Sequence, residues 1–115
     1  MADFNIKQIT KAVSGVVSAA PGVLQNINGE NWTGVVAYFQ IFNLAVVPTL
    51  GMVPLFTWRI PIDGRFNANL PGPSLQSIVG QAFSLGISVG WSTTDATYTA
   101  AAIGGKWWAT GRNDT

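Results

Sequence analysis

General acid–base catalysis by this chain would have to draw on Asp3, Glu30, Asp63, Asp95 or Asp114, because the sequence contains no histidine and no cysteine. All five carboxylates fall in expected turns or tails, where such residues form turns and keep the surface solvated. A serine nucleophile needs a base, and without histidine only Lys7, Lys11 or Lys106 could serve. No motif sets any of them beside a serine. Thiolate and imidazole metal sites are excluded by composition. Gly86-x-x-x-Gly90 lies inside a strand pattern rather than at a strand-to-helix turn, so it is not a phosphate cradle. Neither catalysis nor a cofactor or metal is expected, and function must be sought in surface and assembly.

Six basic and five acidic residues give a net charge of +1. Lys7, Lys11, Arg59, Arg65, Lys106 and Arg112 are scattered, whereas a nucleic-acid binder clusters its basic residues. Charged residues make up only 10% of the chain and hydrophobic ones 48%, against roughly a quarter charged in an average soluble domain. A small chain so composed is expected to bury part of its surface against partners. No apolar run reaches the 18 or so residues of a membrane-spanning helix. Asn31-Trp32-Thr33 and Asn113-Asp114-Thr115 fit the glycosylation-acceptor pattern, which arises often by chance.

The elements that position these residues read as strands. From Gln81 to Trp91, the large Phe83, Leu85, Ile87, Val89 and Trp91 alternate with the small Ala82, Ser84, Gly86, Ser88 and Gly90. That is the period of a strand with one face in a core. Its small face leaves two readings open: room for bulky neighbours, or a flat platform for another subunit. Further strands are expected at 23–28, 35–43, 54–62, 65–70 and 106–110, with 97–103 as hairpin partner to the central strand. Val35, Ala37, Phe39 and Ile41 make one apolar face, and Val36, Tyr38, Gln40 and Phe42 a mixed one, so that strand is expected to be covered on both sides. Residues 74–79 fit either a helical turn or an extended run. Trp107 and Trp108 are adjacent, so on a strand one points inward and one outward. The outward ring fits either a subunit contact or a sugar.

Lys7 and Lys11 ahead of the apolar Ala12–Ala20 run loosely resemble a secretory leader, but Asp3 and the interspersed Ser14, Gly15 and Ser18 argue against one. Residues 1–20 are therefore expected to form an extended or short helical N-terminal arm, and 21–115 the folded domain. Short strands separated by turn signals every 8 to 12 residues or so describe an all-β, antiparallel, jelly-roll-like sandwich.

The succession Tyr38-Phe39-Gln40-Ile41-Phe42-Asn43, Val47-Pro48, Gly51, Val53-Pro54 and Trp58-Arg59-Ile60-Pro61-Ile62 resembles small structural proteins of tailed bacteriophages and prophages. Phe83 to Val89 and Ser92-Thr93-Thr94-Asp95-Ala96-Thr97-Tyr98-Thr99 resemble the same family's glycine–serine strand and following turn. The resemblance spans about residues 20–108 and departs at the N-terminal arm and the Trp-Trp ending. It implies a non-enzymatic virion component, assembled in the host bacterial cytoplasm, first of all a head decoration protein. Its partners would then be the major capsid protein and further copies of itself, a trimer being expected, with no nucleic acid or membrane. The candidate interface comprises Val13, Val16, Val17, Ser84, Gly86, Ser88, Trp107 and Trp108. The alternatives are a tail- or fibre-associated protein and a carbohydrate-binding module. If the small face is an interface, Gly86→Val is expected to impair assembly and leave the subunit folded.

Overall fold

Alternation of inward and outward side chains along short strands builds two antiparallel sheets that turn their apolar faces toward each other. The computed structural model describes residues 2–8, 13–69 and 81–113. Its strands are β1 (Ala2–Gln8), β2 (Ser14–Ser18), β3 (Gly22–Glu30), β4 (Ala37–Phe42), β5 (Phe56–Ile60), β6 (Arg65–Asn69), β7 (Gln81–Phe83), β8 (Ile87–Ser92) and β9 (Lys106–Asn113). Among the described residues there is no helix.

One sheet has the order β1-β9-β3-β6, with β7 also paired to β3, and the other the order β2-β8-β4-β5. β9 thus inserts between β1 and β3 in one sheet, and β8 between β2 and β4 in the other. That interleaving is the double Greek key of a jelly roll, as the strand pattern led one to expect.

The stretch expected as an extended or short helical arm contributes a strand to each sheet. β1 pairs with β9 along its whole length, and β2 pairs with β8. Asp3-Phe4-Asn5-Ile6-Lys7 carries a period-2 pattern of its own, and without β1 an edge of β9 would stand unpaired. The sandwich therefore begins before residue 21.

The long alternating run from Gln81 to Trp91 is two strands rather than one. β7 belongs to the first sheet and β8 to the second, and the chain crosses between them at Ser84–Gly86. Leu85, assigned by its alternation to the core face, is accordingly exposed. Residues 97–103 do not form a regular hairpin strand. They touch β8 through the single bridge Ser92–Ala100 and through Ala101 N–H to Trp91 O at 3.0 Å and Thr93 N–H to Thr99 O at 2.8 Å. Residues 74–79 and the Pro71-Gly72-Pro73-Ser74 breaker lie outside the described residues.

The core sits between the sheets. Phe39, Ile41, Val89 and Trp91 face Leu24, Ile27, Trp107 and Ala109, all in one buried cluster. An aromatic triad ties the layers together: Phe66 of β6 lies 4.5 Å from Phe39 and 5.8 Å from Trp91, and those two are 5.0 Å apart. Each such ring pair adds about 0.5–1.5 kcal/mol beyond its burial. β4 is covered on both faces, as its sequence suggests.

At one end the sheets are joined by a single buried amide. Asn31 follows β3 of the first sheet, and its Nδ2 donates to Ile60 O at 3.0 Å, Pro61 O at 3.1 Å and Val35 O at 2.8 Å. Its Oδ1 accepts from Thr33 N–H at 2.8 Å and Thr33 Oγ1 at 2.6 Å, and its own N–H donates to Gly64 O at 2.8 Å. The acceptor-like triplet Asn31-Trp32-Thr33 is thus a structural turn with its amide enclosed. The Pro61–Gly64 turn it grips closes through Gly64 N–H to Pro61 O at 2.9 Å. Asp63 stands there at φ 56°, a left-handed conformation that Asp tolerates better than most residues. Asn31→Ala removes every side-chain hydrogen bond of this fully buried amide at once, to Ile60 O, Pro61 O, Val35 O and Thr33, and is expected to lower unfolding free energy by about 2–4 kcal/mol, read as a reduced urea midpoint at unchanged m-value. A loss below measurable size would show that this amide does not join the sheets.

Candidate assembly interface

Chemistry first confines the search. Among the described residues no three Asp or Glu carboxylates gather. Glu30 is the one carboxylate seen in ion pairs there, 3.2 Å from Lys106 Nζ and 3.6 Å from Arg65 Nε. Trp32 Nε1 donates to its second oxygen at 3.2 Å. The hydrogen bonds from Trp32 and Lys106, with the two nearby cations, hold its carboxyl below the ordinary glutamate value. A carboxylate kept ionised in this way is suited to accepting hydrogen bonds and unsuited to acting as a general acid.

The residues singled out from sequence do not form one surface. Val17 and Trp107 are core residues. Val13 is half-buried, and its carbonyl accepts Trp91 N–H at 2.8 Å. Val16 and Trp108 are exposed, each on a different sheet. The Trp107–Trp108 pair divides as the strand pattern requires, the first ring inside and the second outside. Ser84 is exposed and bonded to Asn43 Nδ2 at 3.0 Å, whereas Gly86 and Ser88 are buried.

The small face of β8 is covered by the chain's own loops, which corrects its reading as an open platform. Residues 93–100 fold back over it. A Cβ on Gly90 would lie 2.5 Å from the Tyr98 ring, and Tyr98 packs edge-on against Phe42 at 5.6 Å. Gln40, buried on the same face, donates through Nε2 to Thr94 O and Asp95 O, both at 2.9 Å. Ser92 Oγ donates to Thr94 O at 2.8 Å and accepts Thr99 N–H at 3.0 Å. A Cβ on Gly86 would meet Ala45 Cα and Leu44 O at 2.7 Å and Ser18 O at 2.9 Å. The glycines are small because this chain's own backbone and rings press on them.

What remains open is a rim that single-residue reasoning missed. The β4–β5 connection, residues 43–55, carries Leu50 at 78% exposure, Val53 at 75% and Val46 at 62%, with Leu55 also exposed. Leu85, 59% exposed, joins them from the β7–β8 crossing, where Asn43 Oδ1 accepts Leu85 N–H at 2.9 Å. Within the same connection lies a shallow hollow of about 270 Å³, lined by Phe42, Leu44, Met52, Val53 and Leu55 among others. The tip is a tight turn closed by Met52 N–H to Thr49 O at 3.2 Å. Gly51 supplies φ 86° there, as a type II turn requires. Tyr98 holds the turn from behind, with Gly51 N–H to Tyr98 O at 2.8 Å and Tyr98 N–H to Met52 O at 2.7 Å. A signal was present in the sequence, since Val46-Val47, Leu50, Val53 and Leu55 make an unusually apolar loop for one punctuated by proline and glycine.

No protein-family model, no curated protein and no solved structure matches this chain.

Two consequences can be measured. Gly86→Val would drive a branched side chain into backbone, so the subunit itself is expected to lose about 2–4 kcal/mol. Ser88→Ala, two residues on, removes a fully buried hydroxyl that has no hydrogen-bond partner. It is expected to be neutral or stabilising by up to about 1 kcal/mol. Chemical denaturation of both variants decides it, and a well-folded Gly86→Val subunit would contradict the packing described. Burial also raises the Tyr98 phenol above its ordinary value, an effect partly offset by its hydrogen bond to Ser14. Stability from this group is complete below pH of about 10. It is lost as pH climbs from there through the raised native value, because the unfolded chain then binds fewer protons than the native one. A thermal melt series across that window should fall more steeply for wild type than for Tyr98→Phe.

Proposed function

We propose that this chain is a non-enzymatic structural protein of a tailed-phage or prophage virion, decorating the head by seating its apolar rim on the capsid lattice. The observation that carries the reading is that rim: Leu50, Val53, Val46 and Leu85 stand out from one end of the sandwich on a turn braced by Tyr98. Exposed apolar residues that are clustered and rigidly held mark a protein contact rather than a solvated loop. The jelly-roll order of the strands and the resemblance of residues 38–62 and 83–99 to phage structural proteins support the same reading. So does the low charge of the chain, which suits close contacts in a lattice. A trimer of further copies around each seat is part of the proposal.

The test uses the rim itself. Purified protein is expected to co-sediment with heads of the particles induced from the bacterium that carries its gene, and antibodies to it to label heads. Leu50→Asp with Val53→Asp changes two exposed residues, so the fold and its melting temperature should hold. Binding to heads should drop at least tenfold or so, the scale of losing a hot-spot anchor. Retained binding by the double variant, or label on tails alone, would refute head decoration through this rim. Light scattering after size exclusion reads the oligomeric state in the same experiment.

A further inference from the structure

The outer face of the first sheet has a different chemistry from the rim. On β9 Trp108 points outward and is 36% exposed. In register beside it on β3 is Asn28, and beside Thr110 is Asn26. The two asparagines share a hydrogen bond, Asn28 Nδ2 to Asn26 Oδ1 at 3.2 Å. β6 continues both rows, with Asn67 in register with Asn28 and Asn69 with Asn26. Across β9, β3 and β6 the two rows therefore read Trp108–Asn28–Asn67 and Thr110–Asn26–Asn69. On β1 the first row continues to Lys7 and the second to Asn5, so Lys7 is the one ionisable residue in register with the two rows.

Next to these rows a cleft of about 370 Å³ opens, lined by Asn28, Gly29, Glu30, Arg65, Phe66 and Lys106. Its size is that of a small ligand site. Inside it Glu30 is held ionised between Lys106 and Arg65, which gives fixed acceptors and donors in one place.

We infer that this face, from Trp108 across Asn28 to the Glu30 cleft, binds a neutral oligosaccharide of pyranose units. A pyranose ring offers a C–H face that stacks on an indole. Its hydroxyls each donate and accept, as the side-chain amides do. Strands in a sheet stand about 4.8 Å apart, close to the length of one pyranose, so consecutive units meet consecutive strands. A protein partner would have to satisfy each amide it covered or leave it unpaired in the interface. A polyphosphate would need a basic cluster, and the two rows offer the single Lys7 of β1. The face lies on the opposite sheet from β4 and β5, whose connection carries Leu50 and Val53 of the apolar rim, so the inference stands apart from the proposed head contact.

The probes are cellohexaose, chitohexaose and maltohexaose at millimolar concentration, titrated into the full chain by calorimetry and tryptophan fluorescence. At least one is expected to bind and change the fluorescence, with an affinity that holds in molar salt. Trp108→Ala should weaken it about tenfold or more, Trp108→Phe less, and Asn28→Ala several-fold, with circular dichroism unchanged. Leu50→Asp with Val53→Asp should bind sugar as wild type does, which keeps this face separate from the rim. Absence of binding by all three sugars, unaltered binding by Trp108→Ala, or binding abolished by salt would each overturn the inference.

Discussion

The close approach of the Tyr98 ring to Gly90 is the contact on which most of this molecule depends. A side chain at residue 90 would occupy the space of the ring, so the 93–100 segment can lie against β8 only because that strand is small on its outer face. Gln40 and Ser92 then fix the segment with hydrogen bonds to its backbone. With Tyr98 in place, its N–H and carbonyl grip Met52 and Gly51, and the apolar turn at Leu50 becomes rigid. A packing constraint in the middle of a sheet thus sets the shape of a rim at its end.

The same constraint divides the surfaces of the two sheets. The outer face of the second sheet is spent on internal packing, with Phe42, Gln40 and Ser88 all enclosed. On the first sheet, among the described residues, Trp108 stands exposed on the outer face beside the half-buried Asn28, Asn26 and Thr110. An apolar rim and an amide-and-indole face favour different partners, because the first gains by excluding water and the second by replacing water's hydrogen bonds one for one.

Stability rests on joining the layers rather than on charge. Phe39, Phe66 and Trp91 meet between the sheets, and Asn31 binds the end of β3 to the chain leaving β5. The Glu30 ion pairs lie near the surface, where such pairs contribute little. A polar side chain buried with every group matched specifies which loops meet, and this is a job no apolar residue at position 31 could do.

The sequence by itself determined the all-β class, most strand positions from β3 onward, the two-sided burial of β4, and the split of Trp107 inward from Trp108 outward. Each of those follows from period-2 alternation, which is a local property of the chain. For residues 1–20 it left an extended and a short helical arm both open. Only tertiary structure decided that this stretch enters both sheets, that the Gln81–Trp91 run breaks at Leu85 to change sheets, and that Gly86 and Ser88 face the chain's own loops. Alternation tells which side chains share a face of a strand, but not what lies over that face. The cover comes from Leu44, Ala45 and Tyr98, brought to β8 by the folding of the whole chain, and a non-local contact leaves no period in the sequence. The Asn28–Trp108 row is of the same kind, since its residues lie on different strands and become neighbours only through the register of β3 with β9.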